Sequence, residues 1–175
     1  MKQVVLLTGR PGSGKTSLVK QVAARIEGKA GGFYTEEVRN RGVRDGFKLV
    51  TLDGKEITLA HVDIRSPYRV GKYGVDVAAL DRVGVPALRK AARRFEVVII
   101  DEIGKMELLS DSFREAVSEI INGSTKVLGT IMLTPNPWAD AIKRQPHIDL
   151  ITLTRANYQE VLVSILGWLT EAKSP

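Results

Sequence analysis

Cysteine is absent from the 175 residues. Its absence removes a disulfide framework, a cysteine-ligated zinc site and thiol catalysis together. Histidine is almost as scarce: His61 and His147 are the only two, far apart along the chain, so a histidine-rich metal centre is not expected. Glutamine and asparagine are few, a composition that fits a heat-adapted source. No apolar run approaches the ~20 residues that a membrane-crossing helix needs. Met1 to Leu7 puts a positive charge before an apolar run, as a secretion signal does. That run is short and enters a glycine-rich segment with no small-residue cleavage site. It reads instead as a buried strand, and the protein as cytoplasmic. There is no internal repeat and no low-complexity linker, and the length suits a single domain over residues 1–175.

The net charge is +6 and the isoelectric point about 9.7. Such a balance attracts polyphosphates and nucleic acid, although a solvated basic surface explains it as well. Apolar runs alternate with helical patterns, the mark of an α/β domain. Strands are predicted at Val4–Thr8, Gly32–Val38, Val97–Ile100, Lys126–Leu133 and Ile148–Leu153. Helices are predicted at Lys15–Glu27, Leu80–Arg94 with a basic outer face, Ser110–Asn122, Pro137–Arg144 and Asn157–Ala172. Residues 46–52 and 55–61 alternate with a period of two around Asp53-Gly54, which predicts an antiparallel hairpin attached to the core at about 46–61. The Ile64–Val75 stretch, with Pro67, Gly71 and Gly74, reads as an ordered loop. The expected fold is a mainly parallel sheet with helices on both faces and its ligand at the carboxyl ends of the strands.

Gly9-Arg10-Pro11-Gly12-Ser13-Gly14-Lys15-Thr16 matches the Walker A pattern in full, after a strand and before a helix. The glycines permit backbone angles closed to other residues and let N–H groups approach phosphate. Those N–H groups and the helix start form a concave anion site. Lys15 is expected between the β- and γ-phosphates, and Thr16 to offer its hydroxyl to Mg²⁺. The apolar strand Val97–Ile100 ends in Asp101-Glu102. Asp101 is expected at the metal, and Glu102 to orient or deprotonate the attacking water. Glu107 either orders a loop near the metal or stands at the start of the next helix.

Three strings follow the Walker A loop in order: Gly32–Arg39 (GFYTEEVR), Arg69–Tyr73 (RVGKY) and Asp101–Leu108 (DEIGKMEL). With them the chain, from Val4 to about Asn157, resembles the small P-loop nucleoside-triphosphatases that include thermophile enzymes and the human cancer-related nucleoside-triphosphatase. The resemblance implies Mg²⁺-dependent hydrolysis of ATP, GTP, CTP and UTP to diphosphate and phosphate. It also implies a RecA-like P-loop NTPase fold with one strand between the Walker A and Walker B strands. Thr130, on that strand, would contact the γ-phosphate or the water, and Asn157 the nucleotide. One departure stands out: the family has Arg after that Asn, and this chain has Tyr158.

Candidates for a further catalytic cation are Arg39, Arg69, Lys72, Lys105 and Arg144. The chain is expected to be a monomer or weak homo-oligomer without a membrane partner. Two other functions compete with hydrolysis. One is a nucleotide or small-molecule kinase, with Arg39–Arg65 as acceptor lid. The other is a nucleotide-controlled RNA-binding module using Arg82–Arg94, for which no RNA-recognition motif or interleaved aromatic pattern speaks.

Overall fold

The computed structural model describes residues 1–171. Five strands form the parallel core: β1 (Val4–Thr8), β2 (Ala30–Asn40), β7 (Val97–Ile103), β8 (Lys126–Ile131) and β9 (Ile148–Thr152). Their order is β2-β7-β8-β1-β9, so β8 lies between the strand that feeds the glycine loop and the strand that ends in acid. That is the predicted arrangement. Alternation along β1 shows why both faces are covered. Val4 and Leu6 pack with α3 (Val85–Arg94) and α4 (Asp111–Ile121) through Leu88, Phe113 and Val117. Val5 and Leu7 pack with α1 (Lys15–Arg25) and α6 (Tyr158–Thr170) through Leu18, Val22, Leu162 and Trp168. A strand buried on both faces reads as a continuous apolar run, and β1 is apolar from Val4 to Leu7 before it ends at the buried Thr8.

The antiparallel part is larger than the sequence suggests. Beyond Phe33, β2 leaves β7 and pairs antiparallel with β3 (Val43–Thr51), from Phe33↔Thr51 to Asn40↔Val43. The turn between them places Arg41 at φ +48° and Gly42 at φ +79°, the two positive angles that a tight two-residue hairpin needs. The predicted hairpin follows as β3 and β4 (Glu56–His61). The stretch expected to be a loop, Ile64–Val75, instead holds β5 (Arg69–Val70) and β6 (Tyr73–Val75), and β6 pairs with β4. The nine strands among the described residues share one sheet.

Gly32 is needed where β2 meets β7. Its φ is +111°, and a Cβ there would lie 2.1 Å from the Ile99 carbonyl oxygen. The helix expected from Leu80 starts earlier. Asp76 accepts from the Ala79 amide to cap α2 (Val77–Ala79), a π-helical turn spans Leu80–Gly84, and α3 follows. Ser110 caps α4 through the Phe113 amide, and Asn136 caps α5 (Pro137–Lys143). The expected end of the last helix, Ala172, lies outside the described residues. Among the described residues, no helix is long and apolar enough to cross a membrane.

Candidate active site

The glycine loop joins the end of β1 to the start of α1. Gly9 is pressed against the segment after β9, where a Cβ would lie 2.5 Å from the Leu153 carbonyl oxygen. Gly14 takes φ +94° and opens α1. Lys15 Nζ donates to the carbonyls of Gly9 at 2.8 Å and Arg10 at 3.2 Å, so the ammonium is held across the loop mouth. Two hydroxyls here, Thr8 Oγ1 and Ser13 Oγ, are buried without a hydrogen-bond partner. Unpaired buried hydroxyls beside a nest of N–H groups suit a ligand rich in acceptor oxygens.

The carboxylates come from the end of β7. Pairing with β8 steps from Ile100↔Gly129 to Ile103↔Ile131, three residues against two. This bulge breaks the strand's alternation at Asp101-Glu102. The peptide joining them is cis. Asp101 is 1% exposed. Its Oδ1 accepts from Thr130 Oγ1 at 2.5 Å, and its Oδ2 from the Thr35 amide at 3.4 Å. Burial pushes its carboxyl above the ordinary range, while the hydroxyls of Thr130 and Thr16, the Thr35 amide and the Lys15 charge oppose that shift. Glu102 is raised by burial and by Asp101 beside it, against the opposing Lys15 charge. A Cβ on Gly104 would stand 2.5 Å from Glu102 Oε1, so a side chain there would displace that carboxyl. Glu107, at 3% exposure, is raised well above its usual value by burial and by Glu102. The cap of α4 is Ser110, and Glu107 lines the cleft.

Gly9, Lys15, Glu102 and Glu107 open onto one cleft of about 460 Å³. Its far wall is the antiparallel ribbon, through Arg44, Phe47, Leu59 and Val70. On the other side of the loop a second cleft of about 410 Å³ lies between Arg10, Pro11, Gly12 and Ser13 and the segment Thr152–Arg155. Thr16, the second residue of α1, lies within reach of Asp101. Two predicted residues sit differently from expectation. Thr130 is fully buried, and its hydroxyl goes to Asp101 rather than into the cleft. Asn157 accepts from the Thr154 amide at 2.7 Å and donates to the Thr152 carbonyl at 3.0 Å, which shapes the wall of the second cleft. Tyr158, where the family pattern has Arg, lies over Gly14: a Cβ there would be 3.0 Å from its ring. Arg44 and Phe47 were missed because an alternating strand gives no sign of which face meets a cleft.

Thr16 and Asp101 are hard oxygen donors, and no group of three or more His, Cys, Asp or Glu among the described residues is placed to hold a metal. Such a sparse donor set fits a divalent cation that keeps waters and phosphate oxygens as its other ligands.

The sheet order and the loop define a nucleotide-binding α/β protein. A family model described as NTPase matches residues 4–166, and the chain belongs to that family. It is 47% identical over 165 residues to nucleoside-triphosphatase THEP1 of a Thermotoga species, covering 94% of each chain. The crystal structure of THEP1 from the hyperthermophile Aquifex aeolicus superposes with a TM-score of 0.89 at 38% identity, covering 96% of this chain and 99% of that one. The solution structure of a human cancer-related nucleoside triphosphatase gives 0.82 at 34%, covering 99% and 100%. The kinase and RNA-binding readings gain no support from these relatives. On the basic helix, Arg89 faces Glu119 at 3.6 Å and Lys90 faces Asp53 at 3.2 Å.

Proposed function

We propose that the protein hydrolyses nucleoside triphosphates (ATP, GTP, CTP and UTP) to diphosphate and phosphate with Mg²⁺, acting as a single cytoplasmic domain, monomeric or weakly associating. The observation that carries this reading is the meeting of Lys15 and Glu102 on one cleft, with Asp101 buried beneath. The N–H groups of Gly9–Thr16, the phosphate-binding loop, cradle the phosphates, and Lys15 neutralises charge that develops on the transferred group. Thr16 and Asp101 would hold the cation. When bound, it supplies positive charge to the phosphate oxygens. Glu102 takes a proton from water as that water's oxygen attacks phosphorus and the bond to the diphosphate breaks. Its raised pKa makes it a better base than an ordinary carboxylate. Thr130 acts through Asp101, and Asn157 through the loop it shapes.

The second cleft is the place for base and ribose. Arg10 and Arg155 border it with Pro11, Leu133 and Leu153, and no Asn, Gln, Asp or Glu among the described residues lines it. A wall without side-chain amides or carboxylates grips a base by shape and stacking and discriminates poorly between bases. Phosphate release from the four triphosphates, with and without Mg²⁺ and with no added acceptor, tests the proposal. Release from all four within about tenfold of one another is expected, because only shape contacts of a few kcal/mol separate them. Release that requires an added hydroxyl compound would overturn it in favour of a kinase.

A further inference from the structure

Transfer of a phosphoryl group spreads negative charge over oxygens that one lysine in the loop contacts on one side only. Most cations near the cleft are engaged elsewhere. Arg39 bonds Glu37 and the Gly42 carbonyl, and Arg69 bonds the Lys72 carbonyl. Lys72 stands over the Tyr73 ring at 5.4 Å. Arg44 lines the cleft, yet it donates to Tyr73 Oη at 3.0 Å and Glu37 at 3.1 Å and lies over the Phe47 ring at 5.1 Å. Arg144 ends α5 and does not line the cleft.

Lys105 differs from all of these. It lines the cleft with Lys15 and Glu102. Among the described residues it forms no salt bridge and no side-chain hydrogen bond. Its backbone is fixed on both sides. The Gly104 carbonyl accepts from the Leu108 amide at 3.0 Å, and a Cβ on Gly104 would meet the Glu102 carboxyl. Met106 packs against the core. The Lys105 side chain is unengaged in this way and starts three residues from Glu102, in the same cleft. We infer that Lys105 is a catalytic cation supplied by the chain itself: its ammonium contacts the γ-phosphate oxygens opposite Lys15 in the transition state. The inference rests on the hydrolase reading and adds a residue to it.

The test measures Mg²⁺-dependent phosphate release and equilibrium nucleotide binding for the wild type, Lys105→Ala, Lys105→Arg and, outside the cleft, Arg144→Ala. Lys105→Ala is expected to lose about 100-fold in kcat, the scale of one transition-state donor, with nucleotide Kd changed less than about threefold. Lys105→Arg should recover part of that loss, and Arg144→Ala should match the wild type. Specific activity should be independent of protein concentration. Wild-type turnover in Lys105→Ala would overturn the inference and leave the hydrolase reading standing. A loss confined to Kd would also overturn it, because it marks ground-state binding. Specific activity that climbs with protein concentration would overturn it too, by assigning the cation to a second copy. A wild type that releases no phosphate would remove the hydrolase reading and this inference together.

Discussion

Replacing Thr130 with Val keeps the shape of a fully buried side chain and removes one hydrogen bond, the 2.5 Å contact to Asp101 Oδ1. A hydrogen bond to a charged acceptor contributes about 1.5–3 kcal/mol. Of the remaining protein donors, the Thr35 amide is 3.4 Å away and the Thr16 hydroxyl is the one proposed for the cation. Without metal, the loss is limited, since the Asp101 carboxyl, already raised by burial, takes up a proton more readily. With metal, Asp101 must be ionised, and the cost falls on cation binding. At 1.4 kcal/mol per factor of ten, the Mg²⁺ concentration for half-maximal phosphate release should rise about 10- to 150-fold at neutral pH. The deficit should shrink as pH rises and the carboxylate re-ionises. Thr130→Ser, which keeps the hydroxyl, should lie near the wild type. The assay is a Mg²⁺ titration of phosphate release at several pH values. An unchanged half-saturation in Thr130→Val would refute the idea that Thr130 acts through Asp101.

Two further outcomes follow from burial and backbone geometry. Gly32→Ala places a methyl 2.1 Å from the Ile99 carbonyl oxygen at φ +111°; it should cost about 3 kcal/mol or more and lower Tm by roughly 10 °C, and a melt within about 2 °C of the wild type would contradict the packing at the β2–β7 seam. Asp101, Glu102 and Glu107 all have raised pKa values in the fold. The folded state therefore binds more protons than the unfolded chain above their ordinary values of 3.8–4.5, so their stabilising effect is complete below those values and is lost as pH rises through the folded values. The lowered carboxyls, Glu36, Glu37, Asp53 and Asp140, act the opposite way and only below the ordinary range. Metal-free protein should thus lose Tm as pH rises above the ordinary carboxylate range, a loss flattened in Glu107→Gln; a Tm that rises with pH there would contradict the raised values.

The nucleotide half of the site is legible in the sequence because its chemistry is local. A strand, a glycine loop and a helix are consecutive, so Gly9 to Thr16 announce themselves. Asp101 and Glu102 announce themselves too, as acids at the end of an apolar strand. What escaped depends on contacts between distant segments. Thr130 is 29 residues from Asp101, and only the register of β7 on β8 makes its hydroxyl a support for the carboxylate. The ribbon's first turn hides because Arg41, not Gly or Asn, takes a positive φ. The β5–β6 pair hides because each strand is two or three residues long, too short for alternation to register. Arg44 and Phe47 reach the cleft only because that ribbon folds back beside the β7 end.

The central claim is that one carboxylate, Glu102, handles the water while the loop and Lys15 hold the triphosphate. Measuring Glu102→Gln beside the wild type, with nucleotide affinity and phosphate release taken on the same preparations, tests it directly. The expected result is a Kd within about threefold of the wild type and turnover lower by at least about 100-fold, the scale of a lost general base. Turnover equal to that of the wild type at the same affinity would contradict it.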